Sequence, residues 1–304
     1  IIGQLQDHAI PRGLEPGKEG NASVGGNLAV PLKIADLFYT KNGVPITEDK
    51  TWNYDDRFEL RKATANDKYF IKEGYTTANL NFDREVRYYA SLGFDGAVWF
   101  GQGVTDETKP IYVQCKQGQS AANQIANSWN ETGIWPKKLV HFKSVVGQTS
   151  GFTKITYPFP VMRLGNLYLL YAEALNESEG PVKAVYDAID ALRDRAHTTR
   201  LSTAMPNLSK DAMRIEIRNE RRVELAFEGL RWADIRRWKI GEEVMVDAKG
   251  LDNTKLKAGM YPGDGKGETK DWKYVTITVD QRQFNPKRDY LWPIPQYEMD
   301  ANEN

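Results

Sequence analysis

The sequence contains only one cysteine, Cys115, among 304 residues. A single thiol cannot form an internal disulfide or a thiolate metal cluster, and it leaves the redox compartment open. The sequence also lacks any run of about eighteen apolar residues, the length needed to cross a bilayer. The mean hydropathy of -0.59 agrees with this. A disulfide-stapled scaffold and a membrane-spanning helix are therefore not expected.

An excess of charge of either sign is lacking too, because 41 lysines and arginines oppose 41 aspartates and glutamates. A whole-chain field that would attract nucleic acid is therefore not expected. The chain begins Ile1-Ile2-Gly3, without methionine or a signal-like region, so we expect a processed chain or a fragment. Its length suits one large domain or two closely packed domains.

Recognisable catalytic and metal-binding motifs are also missing. His8, His141 and His197 are isolated, and Cys115 has no local signature of a catalytic thiol. The glycine-rich Tyr261–Lys270 lacks both the phosphate-loop pattern and the acid ladder of an EF-hand. We predict no catalytic residue, cofactor or metal. A glycoside hydrolase stays an alternative, since 41 acids could include a suitably spaced carboxylate pair.

The first half of the chain, residues 1–155, is rich in glycine, asparagine, threonine and aromatic residues. Short strand-like runs such as Lys109–Cys115 alternate with turn signals, which predicts an irregular part with short strands. One short helix is expected where Leu32 and Ala35 recur at helical spacing, and Gly43 is expected to end it.

From Met162 the apolar residues recur every three or four positions, which predicts a long helix. The stretch Glu179-Gly180-Pro181 interrupts the pattern, and a second helix is expected to begin with Pro181 in its first turn, so that the pair forms a tetratricopeptide-type hairpin. The predicted packed face of the first helix consists of Leu164, Leu167, Tyr168, Tyr171, Ala172 and Leu175.

A third helix is predicted from Ser209, a suitable N-cap, with an apolar stripe that consists of Ile215, Val223, Ala226, Phe227 and Leu230. Its acids recur every fourth residue, which disfavours an isolated helix. We therefore expect a scaffold helix in a partly buried ionic network, with Gly229 bending the chain into a further short helix. The acids are Glu216, Glu220, Glu224 and Glu228, and the candidate partners are Arg193, Arg195, Arg221 and Arg231.

The segment NERRVELAFEGLRWADIRRW, Asn219–Trp238, resembles the signature of the SusD/RagB family of outer-membrane nutrient-binding lipoproteins. Tyr157–Glu177 and Asp289–Asn304 resemble further segments of that family in the expected order, and Gly25–Ile46 is similar to a looser pattern. The resemblance implies the C-terminal portion of a member. Members place a long helical segment and a lipid-modified cysteine ahead of this region.

The resemblance implies a cell-surface protein of Bacteroidetes-type bacteria, anchored in the outer membrane by an N-terminal lipid outside this chain. It would bind oligosaccharide or another nutrient without chemistry, deliver it to a SusC-type TonB-dependent transporter, and bind no nucleic acid. In relatives, tetratricopeptide-like helices meet the transporter and a loop-rich portion holds the ligand. The alternative is a docking scaffold for the transporter that has no ligand site of its own.

Carbohydrate sites combine an aromatic platform with a few directed polar groups. Four tryptophans lie beside polar or glycine residues in the predicted loops, where binding residues are common. Trp52 with Tyr54 and Asp55 is the cluster most typical of sugar binding, and Trp99 with Gln102 comes second. The other two are Trp129 and Trp135. Local packing is the competing interpretation of each.

The predicted fold class is mainly α, within α+β. A loop-rich, aromatic-bearing part with short strands covers residues 1–155 and is expected to bind the ligand. A helical, tetratricopeptide-like part covers residues 156–304. The two are expected to pack together as one unit.

Overall fold

The structure is a computed structural model, and it describes residues 2–14, 24–106, 108–116, 119–122, 130–138, 140–146, 152–252, 274–291 and 296–301. Its helices are α1 (Ile2–Ala9), α2 (Leu32–Leu37), α3 (Val86–Ser91), α4 (Leu164–Glu179), α5 (Lys183–Arg195), α6 (Leu201–Ala204), α7 (Lys210–Glu224), α8 (Arg231–Trp238), α9 (Gly241–Val244), α10 (Pro286–Asp289) and α11 (Gln296–Ala301). None of the helices in these ranges has the length and apolar character needed to cross a membrane.

The strands are short. They are β1 (Leu60–Lys62), β2 (Thr76–Ala78), β3 (Leu92–Phe94), β4 (Val98–Trp99), β5 (Ile111–Tyr112), β6 (Ile134–Pro136), β7 (Val145–Val146), β8 (Phe152–Thr153), β9 (Ala248–Asp252) and β10 (Val275–Asp280). They pair antiparallel as β1 with β2, β3 with β6, β4 with β5, β7 with β8 and β9 with β10. Each pair forms a small two-stranded sheet that joins two loops.

The loop-rich part has its own apolar core, in which aromatic rings pack edge to face. Phe38 and Tyr88, for example, meet with ring centroids 5.7 Å apart. The buried Arg84 holds the surrounding loops together, since it donates hydrogen bonds to the carbonyls of Ala35 and Phe38, both at 2.6 Å. Loop carbonyls that would otherwise be buried without donors are satisfied in this way.

The helical part has a second core, formed by α4, α5 and α7. Leu169 of α4, Ile189 of α5 and Ile217 of α7 are among its fully buried residues. The predicted hairpin is confirmed: α4 ends at Glu179, and Gly180 follows with a φ of 82°, a conformation that favours glycine because it has no Cβ. The second helix begins at Lys183, so Pro181 lies before its first turn and not in it. The predicted N-cap is confirmed as well, because the Ser209 side chain accepts a hydrogen bond from the backbone of Ala212.

The packed face predicted for α4 is right for Ala172, which is buried, and for Leu175, which packs against the helical core, but wrong for the residues at its start. Leu164, Leu167 and Tyr171 are 64%, 55% and 51% exposed. The helix instead buries a neighbouring stripe, which consists of Gly165, Leu169, Ala172 and Asn176. Small residues let α7 approach closely, and a Cβ at Gly165 would lie 3.2 Å from Glu224 Oε1 of that helix.

Two further details of the predicted helices are corrected. The helix α2 ends at Leu37, before Gly43, because the chain turns at Phe38 to bury that ring in the first core. Ile215 of α7 is 58% exposed, although Val223 on the same predicted stripe is buried. The helix ends at Glu224, so the other members of the stripe, Ala226, Phe227 and Leu230, lie beyond it. In both places the partner surfaces decide which residues are covered.

The two parts of the chain are joined through α7. Val223 of this helix belongs to the core of the loop-rich part, whereas Met213 and Ile217 belong to the helical core. The described residues thus form two cores that share one helix. The boundary near residue 155 stays a prediction.

Candidate functional site

A buried ionic network surrounds the middle of α7. Glu220 accepts from Arg87 at 2.5 Å through Oε1 and from Arg193 at 3.0 Å through Oε2. Arg87 also contacts Glu85 at 2.8 Å and Glu224 at 3.3 Å. Burial by itself raises the pKa of the Glu220 carboxyl, but the two arginines outweigh it and hold the pKa below its ordinary value. Glu220, one of the acids that disfavour an isolated helix, is thus stabilised as an anion by tertiary contacts.

The predicted partners of the acids are confirmed in part. Arg193 pairs with Glu220, and Arg195 pairs with Glu224 at 2.6 Å. Arg221 instead pairs with Asp234, at 3.0 Å, in the following helix α8. Helical spacing allows a partner three residues away, but the bend after α7 brings a carboxylate closer to the guanidinium.

Glu228 was expected to pair with Arg231, and its partners are different. Arg163 Nε lies 2.7 Å from Glu228 Oε2, and Lys138 Nζ lies 2.5 Å from its Oε1. No pattern in the sequence indicated these two cations, or Arg87, as partners of the acids. All three are separated by more than sixty residues from the acids they contact, so no helical spacing could reveal them.

A cavity of about 500 Å³ opens where the two parts of the chain meet, and we call it the junction cleft. Its lining combines rings and prolines from the chain that leads into α4 with charged groups from α7 and the loops. The lining residues are Arg87, Ser91, Lys138, Tyr157, Pro158, Phe159, Pro160, Arg163, Arg195, Val223, Glu224 and Glu228.

The carboxylates of the junction cleft are tied to cations. Arg163 Nη1 lies 2.6 Å from Glu224 Oε1. Burial opposes ionisation of Glu228, but hydrogen bonds from Arg163 and Lys138 dominate and leave its pKa below the ordinary value. A glycosidase acid needs a raised pKa. The cleft is therefore suited to binding polar groups, and Glu228 is not tuned as a proton donor.

A row of exposed and half-buried aromatic rings leads from the loops to this cleft, and we call it the aromatic row. Phe100 and Phe142 are 52% and 46% exposed and stack with centroids 6.2 Å apart. His141 stacks on Phe142 at 5.3 Å, and Tyr157 of the cleft lies 6.0 Å from His141. A backbone contact holds the loops of Phe100 and Phe142 together, because the backbone N–H of Gln102 donates a hydrogen bond to the backbone carbonyl of Phe142 at 3.0 Å.

For the three candidate tryptophans that the structure describes, the burial agrees with local packing, the competing interpretation of their sequence context, and their role in ligand binding stays a prediction. Trp52, Trp99 and Trp135 are 8%, 2% and 1% exposed. Trp52 Nε1 donates to the Phe82 carbonyl at 3.1 Å, and Trp135 Nε1 donates to the Gly26 carbonyl at 2.7 Å. Rings with both faces packed offer no stacking surface, so a ligand role requires the covering loops to move.

The remaining candidates differ in their surroundings. Tyr54 is half-buried, with the Arg57 guanidinium 3.8 Å from its ring centroid, and Asp55 is exposed. Gln102 is 1% exposed and adopts a left-handed backbone with φ of 58°. Trp129 lies outside the described residues. A ligand role for Tyr54 and Asp55 stays a prediction. Among the residues that are described, no group of three or more histidine, cysteine or carboxylate side chains is arranged to hold a metal ion.

The sequence profile of the SusD family matches residues 2–304, and the chain belongs to this family. SusD-like protein P2 of Formosa agariphila is 33% identical over 147 residues, which cover 47% of this chain and 24% of that protein. SusD-like protein P25 of the same organism is 38% identical over 87 residues, or 29% of this chain and 16% of that protein. The resemblance seen in the sequence is confirmed.

Solved structures share the fold. The protein BT4246 superposes with a TM-score of 0.77 at 23% identity, over 97% of this chain and 47% of that one. A SusD-like protein, BF3747, from Bacteroides fragilis NCTC 9343 gives a TM-score of 0.68 at 22% identity, over 96% of this chain and 48% of that one. The predicted fold class is thereby confirmed. The chain spans about half the length of these structural relatives.

Proposed function

We propose that this chain is the part of a SusD-like protein that binds an oligosaccharide or a similar nutrient on the aromatic row, without catalysing a reaction. Members of the family are in general non-catalytic binding proteins. The observation that carries the proposal is the arrangement of Phe100, Phe142, His141 and Tyr157 as neighbouring rings that end at a cleft with charged groups.

The chemistry of this arrangement suits sugars. Flat C–H faces of sugar rings pack on aromatic faces, and hydroxyl groups need a small number of fixed donors and acceptors. Phe100 and Phe142 supply exposed apolar area, while Arg163 and Glu228 of the junction cleft supply directed polar groups. Their mutual salt bridge fixes the positions of those polar groups before a ligand arrives, which reduces the entropic cost of binding.

The proposal includes a location and a partner. The SusD family is in general associated with the outer membrane and works with a SusC-type transporter. We place this chain at the cell surface, held there by a lipid at the N-terminus of the full-length protein, and infer delivery of its ligand to a TonB-dependent transporter of the SusC type.

We expect the double variant Phe100→Ala/Phe142→Ala to lose affinity for its glycan by about tenfold or more, since each exposed ring contributes stacking and apolar contact of about 1 kcal/mol. A glycan array and polysaccharide-loaded native gels would identify the ligand, and calorimetry would then measure the affinity. The fold would be checked by circular dichroism.

The matched control is Tyr69→Ala, which removes an aromatic ring that is 69% exposed and lies outside the aromatic row. This variant should bind like the wild type. Equal losses in both would point to a general loss of surface hydrophobicity, and unchanged binding in the double variant would overturn the aromatic row as the platform. Tyr54→Ala tests the cluster predicted from the sequence, and a loss confined to it would move the site there.

A second candidate is a docking scaffold for the SusC-type transporter that has no glycan site of its own. It is favoured by the apolar strip on and before α4, where Val161, Met162 and Leu167 are 87%, 77% and 55% exposed. We expect Leu167→Glu to reduce capture of the detergent-solubilised transporter by the full-length protein while glycan affinity is unchanged. Capture at the wild-type level would contradict the role of the strip.

A further inference from the structure

Three arginines lie at the bend between α7 and α8, and two of them, Arg222 and Arg231, form no ion pair with a carboxylate of the described residues. A cavity of about 200 Å³ opens there, and we call it the bend cavity. Arg221, Arg222 and Arg231 line it together with apolar residues. Asp234 is the one carboxylate among the residues lining the described cavity. Three guanidinium groups therefore face one carboxylate.

That carboxylate is already occupied. Asp234 pairs with Arg221 at 3.0 Å and with Arg237 at 2.8 Å. The ion pairs of this carboxylate are thus made with cations other than Arg222 and Arg231, although its charge also attracts Arg231. The surplus in the cavity is two positive charges.

Two observations mark donors that lack acceptors. Arg222 forms no hydrogen bond or ion pair with the residues that the structure describes. The Nη1 atom of Arg231 is buried and has no hydrogen-bond partner within the same ranges. A buried donor without an acceptor is destabilising, and more so when it is charged. Because these donors lie beside a cavity, a ligand that enters the cavity can provide the missing acceptor.

The cations also repel one another. Burial, followed by the charge of Arg231, lowers the pKa of Arg222 to about 10. Burial lowers the pKa of Lys33 from α2 as well, and Arg222 and Arg231 lower it further, while Glu243 opposes them. An anion between these groups would offset both the burial and the repulsion.

The backbone adds to the positive potential. Phe227 and Gly229 adopt left-handed conformations, with φ of 67° and 78°, and turn the chain into α8. Leu230 at the N-cap of α8 provides no side-chain cap, so the first amides of the helix lack the usual acceptor. Arg231 follows at the positive end of the helix dipole, where a cation is unfavourable and an anion is favourable.

We propose that the bend cavity binds an oxyanion, such as sulfate, phosphate or the sulfate or phosphate ester of a larger ligand, between Arg222 and Arg231. Guanidinium groups are suited to this chemistry because their planar donors match pairs of anion oxygens. The volume of about 200 Å³ accommodates one tetrahedral anion with its remaining waters. This site is separate from the aromatic row and does not depend on a role in nutrient binding.

The test measures binding of inorganic sulfate and phosphate by calorimetry and by thermal unfolding, with sodium chloride at equal ionic strength as the reference. A saturable heat, and a rise in Tm of about 3 °C near ten times Kd, are expected for the wild type. Absence of any sulfate- or phosphate-specific effect beyond that of chloride would overturn the proposal.

The variants Arg222→Gln and Arg231→Gln should weaken this binding by about tenfold or more, because each removes a charged donor. In chloride alone, Arg222→Gln should unfold at the same temperature as the wild type or higher, since it relieves repulsion. A merely structural arginine would instead destabilise the protein when removed. The control Arg200→Gln removes the same charge from an exposed pair with Asp194 and should leave anion binding unchanged.

A final arm separates the two sources of the anion. Galactose and a galactose sulfate ester are compared as competitors of inorganic sulfate. Competition by the ester identifies the bound group as one that a carbohydrate could carry, and failure of the ester to compete identifies a site for the free ion. Equal binding of sulfate by wild type and both cavity variants would refute a site at Arg222 and Arg231.

Discussion

Replacing Glu220 with glutamine is expected to lower the free energy of unfolding by about 3–5 kcal/mol, because it leaves buried arginines facing a neutral amide. Glu220 is fully buried and joins Arg87 of the loop-rich part to Arg193 of α5. Its side chain therefore connects the two cores through α7. Urea unfolding monitored by tryptophan fluorescence and by circular dichroism measures the change.

The same substitution at an exposed ion pair is the control. Glu177 contacts Arg214 with 42% of its side chain exposed, and Glu177→Gln should cost less than about 1 kcal/mol. If Glu220→Gln costs no more than this control, the network contributes little to joining the two parts. If the wild type unfolds in one transition and the variant in two, the substitution has weakened the junction between the two cores.

The stability of the protein is also expected to fall as the pH rises from about 4.5 towards 7, because of Glu216. Burial raises the pKa of this carboxyl from 4.5 to about 7, although Arg193 and Asn219 oppose the shift. Below pH 4.5 both states carry the proton and the stabilisation is complete. As the pH rises the unfolded state loses its proton first, and the contribution is lost once the pH passes the folded pKa.

The expected loss is up to about 3 kcal/mol, from a shift of about two and a half pKa units. Glu216→Gln removes the titrating group and keeps an acceptor for the Tyr39 hydroxyl, which donates to Glu216 at 3.2 Å. Urea midpoints measured from pH 4.5 to 8.5 should decline in the wild type and in Glu177→Gln, and less in Glu216→Gln. Parallel declines in all three would contradict the assignment to Glu216.

Local patterns of the sequence predicted three features of the helical part correctly. The hairpin of α4 and α5, the N-cap at Ser209 and the bend at Gly229 follow from helical spacing, capping chemistry and glycine conformation. These interactions lie within a few residues of one another, so a single sequence contains them. The family signature is of the same kind, because it occupies one continuous segment of α7 and α8.

The packed face of α4 could not be predicted in this way. The helical period was right, but the structure buries the stripe of Gly165 and Ala172 and leaves Leu164 and Leu167 exposed. Apolarity favours the leucine stripe for burial, whereas the approach of α7 requires small residues. The second requirement depends on another helix and is absent from the local pattern.

The sequence predicted even less of the candidate site. Tryptophan beside polar residues suggested exposed platforms, but Trp52 and Trp99 fill the core of a part whose few strands leave packing to large side chains. The exposed rings are Phe100 and Phe142, which are more than forty residues apart in the chain. A backbone hydrogen bond between two loops brings them together, and no spacing rule predicts it.

The sequence by itself determined the family, the mainly helical class, the tetratricopeptide-like hairpin and the need to neutralise the acids of α7. Only the tertiary structure decided which cations meet Glu220 and Glu228, which face of α4 is buried and which aromatic rings are exposed. The physical reason is the distance along the chain over which each interaction acts. Helix periods, caps and bends are set by neighbours along the chain, whereas burial and ion pairing depend on surfaces that meet only after the chain has folded.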